Sequence, residues 1–166
     1  MVDIELVEHL DWRRNELLSK EQVGRLTNLL HEDYRDCKIE IVASRYRLMF
    51  LTIREIILCW KSVEWKREIE HFTSIYTGKV DGTYNSILKF AQVYYFNIKI
   101  ENSNSRVNDL YYSTFVLFHE LRHHYQNKYN RLQRFDVEPD CNRFAIRMLD
   151  RHHAEIMKII SEEVVI

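Results

Sequence analysis

His119, Glu120 and His123 stand in the order His-Glu-x-x-His, inside the run Phe115–His124 (FVLFHELRHH). Residues i and i+4 share one face of an α-helix, so both imidazoles can reach a single metal ion. Glu120 lies beside them, and a carboxylate there can take a proton from a water polarised by that ion. Phe115, Val116, Leu117, Phe118 and Leu121 are apolar. They predict a buried helix, which is where a rigid metal site belongs. A catalytic zinc takes three protein ligands and keeps one position open. Asp136, Glu138, Asp140, His152 and His153 are the downstream candidates for the third ligand. Glu138 and Asn142 are again i and i+4, so a carboxylate could bind the metal while the amide one turn later orients a ligand imidazole. Pro139 disfavours helical backbone at the residue before it and puts Glu138 at the very start of a helix. That leaves Asp140 as a rival. Residues i and i+2 point about 200° apart on a regular helix, so one ion does not take both.

HELRH at 119–123, followed by Glu138-x-x-Cys141-Asn142-x-Phe144-Ala145, resembles the paired motifs of the ImmA/IrrE-type metallopeptidases. The resemblance covers residues 94–150. It implies a gluzincin site with Zn²⁺ held by His119, His123 and Glu138, and Glu120 as general base and then proton donor to the leaving amine. Asn142 would support the ligands. The implied fold is α+β, a helix-rich zincin-like domain with a small, mostly antiparallel sheet. Cys141 stands where that family has a small Ala, and Arg122 where Gly is common. Members of the family act on transcriptional repressors of mobile elements. The resemblance therefore implies a zinc-dependent endopeptidase acting on a protein or peptide substrate of regulatory kind. A zinc-containing regulatory or protein-binding module without turnover is the alternative. A DNA-associated SprT-like peptidase also uses HExxH, but the charge balance below disfavours it.

Elements must hold these residues in place. Ser19-Lys20-Glu21-Gln22 has capping-box spacing and predicts a helix to about Tyr34. Lys38–Ala43 alternates and predicts a strand. From Tyr46 to Phe72 the pattern is mixed: Ile53, Ile56, Ile57, Trp60, Ile69 and Phe72 suit a helix with Thr52 as its N-cap, while Tyr46, Leu48 and Phe50 fit a strand equally well. Gly78 and Gly82 mark turns. Tyr95–Ile100 has strand periodicity and would be the edge that aligns an extended peptide by β-augmentation. Asn102–Ser105 is a loop, Arg106–Lys128 the metal helix, and Pro139–Ile160 the last helix. His124, adjacent to the motif, is expected at the surface, and His152 and His153 near a helix end. Cys37, Cys59, Trp60 and Trp65 are expected in the core. Tyr111, Tyr112 and Tyr125 flank the metal helix as packing, one of them a candidate to polarise a substrate carbonyl.

The 166-residue chain as a whole carries 24 Lys+Arg against 25 Asp+Glu, a net charge of −1. Nothing in that balance draws it to nucleic acid or to an anionic membrane. Three Gly and one Pro are far below the average share of about 12% for the two together. This favours long helices in a single domain over residues 1–166, with 1–35 its N-terminal helical part and 94–160 carrying the site. Three dispersed Cys make no CxxC pair and suit a reducing cytoplasm. Residues 1–18 lack the basic start and apolar core of a secretory signal.

Overall fold

Ser19 caps the first helix as its spacing predicts. Its Oγ accepts from the Gln22 amide at 3.1 Å, and Gln22 Oε1 accepts from the Ser19 amide at 2.9 Å. Ser19→Ala is expected to lower unfolding stability by about 1 kcal/mol, read from urea denaturation. The helix, α1 (Lys20–Asn28), stops short of Tyr34. A 3₁₀ turn at Glu32–Tyr34 follows and buries Tyr34.

A computed structural model describes residues 4–5, 18–34, 36–42, 44–58, 65–98, 106–129 and 137–162. After β1 (Ile4–Glu5) and α1 come β2 (Lys38–Val42), α2 (Arg45–Leu58), α3 (Trp65–Tyr76), β3 (Gly82–Asn85) and β4 (Phe90–Tyr94). The chain continues through α4 (Tyr95–Ile98), α5 (Arg106–Lys128), α6 (Val137–Arg151) and α7 (His153–Ser161). The fold is helix-rich α+β with a small mixed sheet of order β1-β2-β4-β3. No helix among the described residues is long and apolar enough to cross a membrane. Ala43, Cys59, Trp60, residues 99–100, Asn102–Ser105 and Asp136 lie outside the described residues, as does the Trp65 side chain.

The sheet corrects the mostly antiparallel expectation. β1 and β2, and β2 and β4, pair in parallel, and only β3 runs antiparallel to β4. A two-residue β1 leaves no readable alternation, and it places a strand where the N-terminal region was expected to be wholly helical. Side chains alternate across the sheet. Ile39, Ile41, Ala91 and Val93 join the larger core under α1, α5 and α7. Val42 and Tyr94 face the other way, against Leu48 of α2 and Ile75 of α3. On that second face Glu40 is fully buried. Its carboxylate accepts from Arg54 Nη2 and from Gln92 Nε2, both at 2.8 Å. This cross-strand bond pins the β2–β4 register.

Three further expectations change. Tyr95–Ile98 is one helical turn, not a strand. Its period-2 pattern arises because Ile98 enters the larger core while Phe96 packs against the smaller one. Tyr46, Leu48 and Phe50 lie on helix α2, with only Leu48 buried. Thr52 sits in mid-helix and donates to the Leu48 carbonyl at 2.9 Å, while Ser44 Oγ accepts from the Arg47 amide at 3.4 Å. The last predicted helix is two, broken at His152.

Candidate metal centre

α5 crosses the sheet and carries HELRH within its C-terminal half. His119 Nε2 and His123 Nε2 are 3.1 Å apart. Glu138 reaches both from α6, Oε2 at 3.2 Å from His119 Nε2 and Oε1 at 3.2 Å from His123 Nε2. Ligands bound tetrahedrally at 2.0–2.1 Å lie about 3.3 Å from one another, so these spacings fit a zinc-sized ion. Pro139 occupies the first turn of α6, where its missing N–H costs nothing, and Glu138 is the second residue of that helix.

The residues around the donors explain why they converge. Asn142 Oδ1 accepts from His119 Nδ1 at 3.0 Å, leaving Nε2 free for the ion. Asp140, the rival ligand, turns away. Its Oδ2 accepts from Arg122 Nε at 2.8 Å and from Gln126 Nε2 at 2.9 Å. Arg122 clamps α6 to α5. Its guanidinium lies 4.7 Å from the Tyr125 ring and 5.1 Å from Phe144, and its Nη1 donates to Tyr34. Cys141 is fully buried, 3.5 Å from His123 Nδ1, and its thiol donates to Gln126 Oε1 at 3.4 Å. One donor atom each from His119, His123 and Cys141 lies within 4.8 Å of the other two, a group that could hold a metal ion. Burial holds the His123 pKa below its ordinary value, against the raising effect of the Glu138 charge, so the imidazole is neutral and able to ligate.

Glu120 is 5% exposed. Desolvation, followed by the charge of Glu138, raises its pKa well above the usual carboxylate range. Gly82, expected in a turn, instead opens β3 and passes directly over this carboxylate. A Cβ at Gly82 would lie 2.5 Å from Val116 Cγ1 and 2.8 Å from Glu120 Oε1. β3 then follows the i, i+4, i+7 stripe Glu120, His124, Asn127 of α5. His124, expected at the surface, is buried. It is 3.1 Å from the Tyr84 hydroxyl through Nδ1 and 2.9 Å from Asp36 through Nε2. Asn127 Nδ2 donates to the Tyr84 hydroxyl at 3.0 Å and to the Ser86 carbonyl at 3.2 Å. The polar stripe was readable in the sequence, but the strand it engages was not.

A cleft of about 610 Å³ opens over the donors, between β3 and the α5 face bearing Tyr112, Phe115 and Glu120. Its size is that of a ligand pocket. The Tyr112 hydroxyl donates to Asp81 at 2.9 Å, and burial raises its pKa to about 12, so it stays protonated. Tyr111 and His153 pair with each other away from the centre, as do His152 and Glu155. Tyr125 packs with Tyr34, and Cys37 is buried. No family model, curated protein or solved structure matches the chain.

Proposed function

We propose that the chain is a zinc-dependent endopeptidase. The observation that carries this reading is the convergence of His119, His123 and Glu138 on one point, with the buried Glu120 carboxylate beside it and a cleft above. Bound there, Zn²⁺ would supply Lewis acidity, polarising a peptide carbonyl and bringing the pKa of a water toward neutrality. Glu120 accepts the proton of the attacking water and delivers it to the leaving nitrogen, for which a raised carboxylate pKa is suited. β3 lies at one end of the sheet order, bonded to β4 on one side. It takes over the role first expected of Tyr95–Ile100, aligning an extended substrate by backbone pairing. An unstructured segment of a regulatory protein, a repressor among them, is the substrate class, and the cytoplasm the compartment that the buried free thiols of Cys37 and Cys141 suit.

Asn142→Ala is expected to weaken metal affinity by about 10–100-fold, measured by competition with a zinc chelator, because His119 loses the acceptor that orients it. The reading itself is tested by metal analysis of the purified chain and by digestion of a proteome-derived peptide library. One zinc per chain and cleavage products are expected. A chain without stoichiometric metal, or one that leaves the library intact with its zinc bound, overturns it. A second reading, a zinc module without turnover, is favoured by Cys141, since a fourth protein donor would close the position that catalysis needs open.

A further inference from the structure

The cleft extends past the histidines toward the N-terminal half of α5, where three side chains take no part in the chemistry proposed above. Tyr112 and Phe115 line it from α5, half-buried, with their rings stacked, centroids 5.7 Å apart and planes 19° from parallel. Asp81, the residue just before β3, lines it from the other side. The backbone of Asp81 is fixed by the sheet, its carbonyl accepting from the Tyr94 amide at 2.8 Å. Its Oδ2 accepts from the Tyr112 hydroxyl at 2.9 Å. Among the described residues that hydroxyl is the only side-chain hydrogen-bond partner of the carboxylate, and no cation pairs with it. Lys79 lines the same cleft, exposed, and makes no ion pair with Asp81. Glu120 and Glu138, the other carboxylates of the cleft, are committed to the metal centre in the reading above. Asp81 is left as a half-buried charge with one oxygen held by Tyr112 and the other without a partner.

Resting on the peptidase reading, we propose that Asp81, Tyr112 and Phe115 form a subsite for a lysine or arginine side chain of the substrate. The chemistry of the three fits that guest. Aromatic rings receive the apolar stem and attract a cation. A carboxylate beside them accepts charge-assisted hydrogen bonds from the ammonium or guanidinium. The bond from Tyr112 aims the carboxylate before the guest arrives, so little ordering is left for binding. The helix also sets the distance. Tyr112 lies seven residues before His119, about 10 Å along the axis. An extended peptide advances about 3.3 Å per residue, so the cation sits about three residues from the bond that is cut. The substrate class narrows from any extended segment to one that carries a basic residue at that spacing.

The first test does not depend on turnover. The full chain, labelled with ¹⁵N, is titrated with Nα-acetyl-arginine amide and with Nα-acetyl-citrulline amide, which has the same shape and no charge. The amides of Gly82 and Tyr112 are the reporters. Wild type is expected to bind the arginine probe about 10-fold more tightly than the citrulline probe. Asp81→Asn keeps an acceptor for Tyr112 and removes only the charge, and it is expected to bring the two affinities together. The second test is digestion of a randomised peptide library by the zinc-loaded chain. Lysine and arginine are expected to be enriched at one fixed position about three residues from the cut. Asp81→Asn is expected to erase that enrichment, and Asp81→Lys to replace it with aspartate and glutamate, an inversion that a merely structural role for Asp81 does not produce. Circular dichroism reports whether each variant is folded. Equal affinity of wild type for the two probes, or a preference that survives Asp81→Asn, overturns the subsite. Cleavage with no basic residue enriched overturns it too and leaves the peptidase reading standing. If arginine is preferred through Asp81 and no peptide is cut, the subsite stands and the peptidase reading falls.

Discussion

Glu120→Gln is expected to lower the rate of peptide cleavage by about 10²–10⁴-fold while leaving metal content unchanged. The amide has the shape of the acid and keeps the packing under Gly82, where the side chain is almost wholly enclosed. What it removes is the ability to take up a proton. In the proposed site metal uptake would depend on His119, His123 and Glu138, which the substitution does not touch. The loss should fall on kcat, because the proton transfer belongs to the transition state and not to substrate binding. The measurement is library digestion by zinc-loaded wild type and variant at equal zinc content. Cleavage at an undiminished rate would remove Glu120 from the role of base. A parallel fall in zinc would show that it serves the metal instead.

Gly82→Ala is the second large effect, at a residue with no chemistry of its own. The added methyl must occupy space already taken by Val116 Cγ1 and by the Glu120 carboxylate. Two effects oppose each other. Replacing Gly reduces the freedom of the unfolded chain and favours the fold by about 0.4–1 kcal/mol. Overpacking a filled site costs about 1–3 kcal/mol. Contacts of 2.5 and 2.8 Å are too short to relax without a shift, so the second effect wins. Because the group that must yield includes Glu120, the proposed base, turnover is expected to fall by about 10²-fold in the molecules that remain folded. Thermal unfolding and cleavage measured on one preparation check both parts. A variant that melts and cuts as wild type does would mean that β3 does not press on Glu120.

The helix that carries HELRH was legible because its information is local. HELRH and the Glu138–Asn142 pair are spacings of three or four on a helix, and helical geometry converts them directly into a shared face. The choice between Glu138 and Asp140 was not legible. What turns Asp140 away from the imidazoles is Arg122, eighteen residues before it, whose guanidinium bonds that carboxylate and stacks on Tyr125 and Phe144. The strand over the site was misplaced for a similar reason. β3 is only Gly82–Asn85, with a Gly where a turn was expected, and its identity comes from pairing with β4 and from the polar stripe of α5. His124 was read as exposed since its partners, Asp36 and Tyr84, are 88 and 40 residues away. Cys141 was read as a stand-in for Ala, and its reach to His123 needs the packing of α6 on α5.

Gln22, which helps cap α1, also donates its Nε2 to the carbonyl of Ile159 at 2.9 Å, and Arg25 pairs with Glu162. Both links span 137 residues. During synthesis, α1 is therefore made early and stays without its partner until α7 has emerged from the ribosome. Its apolar face, Val23 and Leu26, is open to other chains through that interval. Such distant closure slows folding, since the loop entropy is spent before the contact is gained. The order of manufacture thus makes the helices α5 and α6 wait for α7 before the core that steadies them is sealed.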